Sequence, residues 1–171
     1  MRIKALVLAL VCGILVGCGA PGPLSGQRAQ VQEIISGQTL VILPLEGLRP
    51  VPERLRLIGL SAPDRRQYPW GFQAQAQLEK LLTPAPILVE LDVQEQDRFG
   101  RRLAYVWQDG RLINEALIAA GAALATRRSP NTRYAERFQR AQETSRLLER
   151  GIWDPEQPLR QTPTEFRQNL R

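Results

Sequence analysis

The chain has 171 residues, with 23 lysines and arginines against 17 aspartates and glutamates, and no histidine. That is room for one domain with a short appendage, and the missing histidine excludes Ser-His-Asp and Cys-His nucleophilic sites and histidine-held zinc. Apart from Lys4 and Lys80 the basic side is all arginine, whose planar fork grips phosphate or carboxylate at two points; a GC-rich genome would give the same bias without any function.

The chain opens on a positive start, Arg2 and Lys4, followed by an apolar run from Ala5 to Val16 that is too short to span a bilayer. Leu15-Val16-Gly17-Cys18 closes that run and resembles the bacterial lipobox, in which the cysteine thiol receives a diacylglycerol and cleavage leaves the cysteine first. Residues 1–17 thus read as a lipoprotein signal peptide, Cys18 as the lipidation site, and 18–29 as a flexible tether rich in glycine and proline. Both cysteines, Cys12 and Cys18, fall in this part, so the folded domain is expected to have neither disulfide nor thiol chemistry. The expected location is extracytoplasmic, lipid-anchored to a bacterial membrane in the cell envelope.

The domain proper is placed at 30–153. Val31 to Ile35 reads as a first strand, Ser36-Gly37-Gln38 as a turn and Thr39 to Leu45 as a second strand. After a loop from Gly47 to Pro52, alternation predicts a third strand over Arg54 to Leu60, which Pro63 stops. Trp70 to Leu82 is predicted helical from Phe72, Ala76, Leu78 and Leu82, with Pro84 and Pro86 ending it. Ile87 to Leu91 and Leu103 to Trp107 are the fourth and fifth strands, and Asp109-Gly110 is a turn before a second helix from Leu112 to Ala120. A third helix, capped by Asn131 or Thr132, runs to Arg150 with Tyr134, Phe138, Ala141, Leu147 and Leu148 on its apolar face. Gly151 closes it, Trp153 is expected to pack back onto the core, and 154–171 is expected to be a loose polar tail. Five short strands with helices after the third and fifth suggest a small OB-type barrel with a helical flank.

One region concentrates chemistry. The third strand carries Arg56 near its middle and Asp64 on the loop that leaves it, while Asp97-Arg98-Phe99-Gly100-Arg101 puts a charged loop before the fifth strand. Two arginines and an acid on neighbouring strand ends would suit a phosphate group; solvated strand-end charges are the plainer alternative.

Ordered motifs from Val31 to Trp153 resemble the staphylococcal-nuclease (thermonuclease) family. Arg56 to Asp64 is similar to its Arg-Leu-…-Asp-x-Pro-Glu stretch, Asp97 to Tyr105 to its Asp-x-Tyr-Gly-Arg-x-Leu-Ala-Tyr, and Asn114-Glu115-Ala116-Leu117 and Gly151-Ile152-Trp153 to its later helix and closing tryptophan. The resemblance implies an α+β fold, a five-stranded OB-fold barrel with three α-helices. It also implies phosphodiester cleavage with one Ca²⁺ held by two aspartates, two arginines on the phosphate and a glutamate that activates water. Carried over by position, Arg56 and Arg101 are the catalytic arginines and Asp64 stands for the glutamate.

The metal ligands depart from the pattern. The family's aspartates are replaced by Gln38 and Ser61, leaving with the Ala62 carbonyl a degraded metal site, and calcium affinity depends on anionic oxygens. Asp64 is also one methylene shorter than glutamate. At the nucleotide side, Arg98 keeps the charge of a phosphate-facing lysine, and Thr126-Arg127-Arg128 replaces a Tyr-x-Tyr, so Arg98, Arg127 and Arg128 are expected to contact nucleic acid. The expected function is binding of nucleic acid or another polyanion with calcium-dependent hydrolysis lost or strongly reduced. The alternatives are an active extracytoplasmic DNA/RNA endonuclease using Arg56, Arg101 and Asp64, and an envelope protein-interaction module.

Overall fold

The computed structural model describes residues 25–47 and 50–170. The leader, Cys18 and most of the tether lie outside the described residues, and among those described no helix is long and apolar enough to cross a membrane.

Five strands close a barrel. They are β1 (Gln27–Ser36), β2 (Thr39–Pro44), β3 (Glu53–Leu57), and, after two residues Leu60–Ser61 (β4), β5 (Ile87–Gln96) and β6 (Arg102–Gln108). The pairings run β3-β2-β1-β5-β6, all antiparallel, and a parallel β3–β6 ladder joins the two ends. Closure removes the exposed sheet edges that would otherwise pair with other chains. A β6–β7 hairpin (β7, Arg111–Leu112) turns at Asp109-Gly110 as the sequence predicts, both residues having positive φ.

Alternation fills the interior. Leu40, Ile42, Leu55, Leu57, Ala104 and Val106 are fully buried, each leucine or isoleucine contributing about 1.5–3 kcal/mol by leaving water. Helix α1 (Trp70–Leu81) adds Ala74 and Leu78, α2 (Ile113–Ala119) adds Leu117, and α3 (Ala135–Leu147) adds Phe138 to the same core. The first and second helices thus stand where the sequence places them. Phe72 does not join the core; it is exposed and packs edge-on with Tyr68, because Ala74 and Leu78 define the buried stripe instead.

The expected third strand is interrupted at Gly59. Its φ of +75° is a conformation that side chains rarely adopt, and a Cβ there would strike the Phe138 ring. The break turns β4 away to pair with a short β8 (Leu124–Ala125), which carries Ser61 to the barrel rim. Asn114 fills the gap from beneath, donating to the Ile58 carbonyl at 2.9 Å and accepting from the Val106 N–H at 2.8 Å.

The third helix also starts later than predicted. Asn131 does not cap it, because its side-chain amide is spent on both backbone groups of Gln94, at 2.8 Å each. Nor does Thr132; Tyr134 precedes the helix without a side-chain cap bond. The helix ends before Arg150, Glu149 taking a φ of +52°, and Leu147 and Leu148 are exposed rather than apolar-face residues. The residue sealed against the core after Gly151 is Ile152; Trp153 is half-buried beneath the Arg146 guanidinium.

The tail is not loose. After the turn Gly151–Trp153 the chain folds back and forms a fourth helix, α4 (Pro163–Gln168). Thr162 and Glu165 make a reciprocal capping box with Pro163 at the first turn, and this local chemistry forms a helix too short to show apolar periodicity. Its anchors are the Leu159 N–H on the Ile152 carbonyl at 3.0 Å and the Gln67 amide on the Gln161 carbonyl at 2.6 Å.

Candidate functional site

Arg56 lies in the barrel wall, its backbone paired with Thr39 of β2 on one side and Leu103 of β6 on the other. Its side chain lines a cleft of about 930 Å³ together with Gln38, Asp64, Arg101, Arg128 and Arg167. No carboxylate forms an ion pair with Arg56 among the described residues. Burial first, then the charges of Arg101, Arg167 and Arg128, push its guanidinium down to about 10, with Asp97 pulling the other way. It remains a cation at neutral pH, held among cations.

Arg101 reaches the cleft from the β5–β6 turn. Asp97 organises that turn, its Oδ1 accepting from the Phe99 and Arg101 N–H groups at 2.9 and 3.1 Å, while its Oδ2 pairs with the Arg101 guanidinium at 2.6 Å. Burial alone would raise the Asp97 carboxyl, but Arg101 and the two backbone donors hold it below the usual carboxylate range. Arg98 sits over the exposed Phe99 ring at 4.8 Å and lines the same cleft.

Across the cleft the Ser61-Ala62-Pro63-Asp64 loop leaves β4. The Asp64 carboxylate accepts from the backbone N–H and the Nε of Arg66, each at 3.1 Å; burial opposes these bonds, yet the carboxyl ends below the usual range. The Gln38 side chain, on the β1–β2 turn, accepts from the Ala62 N–H at 3.0 Å. The Ser61 hydroxyl accepts from Nη2 of Arg167 at 2.8 Å, and the Ala62 carbonyl from Nη1 of the same guanidinium at 3.5 Å.

These contacts test the calcium that the resemblance implies, and the residues present do not fit it. Gln38 Oε1, Ser61 Oγ, the Ala62 carbonyl and Asp64 Oδ1 each already face an N–H donor, which leaves Asp64 Oδ2 as the one anionic oxygen of this set without one. Among the described residues no group of three acidic, cysteine or histidine side chains could hold a metal. Arg56, Arg101 and Arg167 would also repel a divalent cation.

The cleft thus brings together Arg56, Arg101, Asp64, Gln38, Ser61, Arg98 and Arg128 of the residues singled out in the sequence. Arg127 is elsewhere; its side chain lines a separate cleft with residues of α2 and α3. Sequence reading missed Arg167, although Thr162-Pro163-Thr164-Glu165 is a capping signature and marks a helix start. It also missed Glu90, fully buried on β5, whose carboxylate takes bonds from Trp107 Nε1 at 2.6 Å, Arg133 at 2.7 Å and the Tyr134 hydroxyl at 3.0 Å. No periodicity separates such a residue from a solvated strand charge.

Fold and cleft together define a helix-flanked barrel of nuclease type. Residues 54–155 match the family model described as staphylococcal nuclease homologue, and the chain belongs to that family. It is 34% identical over 132 residues to a thermonuclease of Staphylococcus hyicus, covering 74% of this chain and 76% of that protein. It is 30% identical over 161 residues to the thermonuclease of Staphylococcus intermedius, covering 87% and 94% respectively. A shorter match, 30% over 108 residues, is to the SPbeta prophage-derived endonuclease YokF of Bacillus subtilis, covering 59% of this chain and 36% of that protein.

Proposed function

We propose that this domain binds nucleic acid through its phosphates in the arginine-lined cleft, with calcium-dependent hydrolysis lost or strongly reduced. The observation that carries the reading is the imbalance of charge around Arg56. Arg98, Arg101, Arg128 and Arg167 share its cleft with only two carboxylates, and each of those is already paired, Asp97 with Arg101 and Asp64 with Arg66. A phosphodiester entering there would relieve the repulsion among the guanidinium groups and accept their two-pronged bonds. Phe99, 68% exposed beside Arg98 and Arg101, offers a ring on which a base can stack, as single-strand binders use. The domain is further read as tethered to a bacterial membrane, with residues 1–17 as leader, a lipid on Cys18 and 18–29 as the link to an extracytoplasmic domain.

A second reading, residual endonuclease activity, has one observation in its favour: Asp64 lines the same cleft as Arg56 and Arg101. Its carboxyl is ionised at neutral pH, and the two arginines would stabilise a pentacoordinate phosphoryl state, although a carboxyl held below the usual range is a weaker base toward water. Against efficient turnover, Arg66 occupies that carboxylate.

Anisotropy with labelled single-stranded DNA and RNA, using the full chain in mild detergent, tests binding, and gels run in calcium and in EDTA test cleavage. Binding is expected to weaken tenfold or more in Arg56→Ala. An affinity that is unchanged in both Arg56→Ala and Arg101→Ala would remove the binding reading. Metal-dependent cleavage that vanishes in Asp64→Ala would establish the second.

A further inference from the structure

We propose that α4 completes the cleft, the Arg167 guanidinium standing as a permanent cation beside Ser61 and Ala62 and making this a calcium-independent site for a phosphate-bearing anion. The inference deepens the phosphate-binding reading and rests on it for the orientation of Arg56 and Arg101 toward a ligand.

Three observations converge. The helix that carries Arg167 lies beyond the segment matched to the family, which ends at residue 155, so the cation is supplied by a part of the chain outside that match. Its fork is engaged at two points, on the Ser61 hydroxyl and the Ala62 carbonyl, the oxygens that remain where an aspartate would face an ion. The helix is built to stay, with a complete capping box, a buried Pro163 and the Gln67–Gln161 bond fastening it beside the Asp64 loop.

Charge then selects the ligand. Arg56, Arg98, Arg101, Arg128 and Arg167 line one cleft against Asp64 and Asp97, and both acids already have arginine partners. An arginine that served only as a clasp would more easily be tolerated beside unpaired acids than in this company, where burial and the neighbouring Arg128 and Arg101 disfavour its charge and Asp64 alone favours it. A doubly charged phosphate group satisfies several forks at once. A guanidinium supplies charge and directional N–H donors, but it has no open coordination position at which water loses a proton. The same substitution thus accounts for binding without efficient hydrolysis.

Titration of the full chain in mild detergent with inorganic pyrophosphate, and separately with a single-stranded oligonucleotide, each in EDTA and in calcium, tests this. Pyrophosphate is expected to bind in EDTA as tightly as in calcium, and tenfold or more weaker in Arg167→Ala, with Arg167→Lys between the two. Glu165→Ala, which breaks the capping box and leaves Arg167 in the chain, is expected to weaken binding in the same direction while the thermal transition of the barrel stays in place. Binding that requires calcium, no pyrophosphate binding in EDTA, or an Arg167→Ala affinity within twofold of the parent would overturn the proposal. Arg167-dependent pyrophosphate binding with no oligonucleotide binding would uphold it and sink the nucleic-acid reading.

Discussion

Arg56 shows how a single side chain can be made costly in one state and useful in another. A cation whose pKa is lowered on folding destabilises the folded protein at every pH below that value, and the penalty fades as pH climbs past it. For Arg56 the value is about 10, so at neutral pH the charge is present and strained by its neighbours. A bound anion reverses the sign, because it favours the charged form. Affinity for a phosphodiester, whose own charge does not change in this range, is therefore expected to stay flat through neutral pH and to fall as pH rises past about 10, a trend that titration calorimetry with an oligonucleotide against pH would read. Glu90 makes the opposite kind of argument, since its buried carboxylate has a full set of donors. Glu90→Ala strands the Trp107 Nε1 and Tyr134 hydroxyl donors, while Arg133 keeps Asp92 and the Leu91 carbonyl, and is expected to cost about 1–3 kcal/mol for each stranded group in denaturant unfolding. The variant should leave the cleft residues untouched, since Glu90 does not line it.

Among the elements, α4 is the one whose presence changes what the protein can do. Its capping box sets a local stability that can be tuned without disturbing the barrel. Thr162→Ala is expected to cost about 1 kcal/mol, seen as faster amide exchange over residues 163–168 with the barrel strands unchanged. The two bonds from Thr162 hold the Glu165 carboxyl below its usual range, so the box is intact at neutral pH and opens as acid protonates that group. The barrel strands, α1, α2 and the Asp109-Gly110 turn were legible in the sequence because alternation, helical spacing and turn chemistry each act over a few neighbouring residues. Gly59 was legible only as a member of a strand, since the Phe138 ring that forbids a side chain there arrives from far along the chain. Asn131 misled for a related reason: its amide suits a helix cap, but the Gln94 backbone competed for it and won. In the cleft, Arg56 and Arg101 were visible through motif spacing, whereas Arg167 was not, because nothing local tells which loop a C-terminal helix will meet.

Taken as one molecule, the protein concentrates its basic excess where strand ends, a loop and the last helix converge. The five arginines that line the cleft, if each neutralises a phosphate, predict a slope of about −3.5 in log affinity against log salt on single strands, at about −0.7 per contact. A slope near zero would mean that the arginines do not touch phosphate. The same convergence governs any attempt to restore a metal. Gln38→Asp, Ser61→Asp and Asp64→Glu together add the missing acids, yet Arg167 would pair with them first. Calcium binding by calorimetry is expected only when Arg167→Ala is combined with those three changes.

Arg167 rides on a helix of only six residues. Proteolytic trimming that removed residues 163–168 during purification would take that guanidinium away and leave every barrel strand in place. Preparations that differ only in whether this helix is present would then disagree about ligand affinity while sharing one fold, so intact mass belongs beside every binding curve.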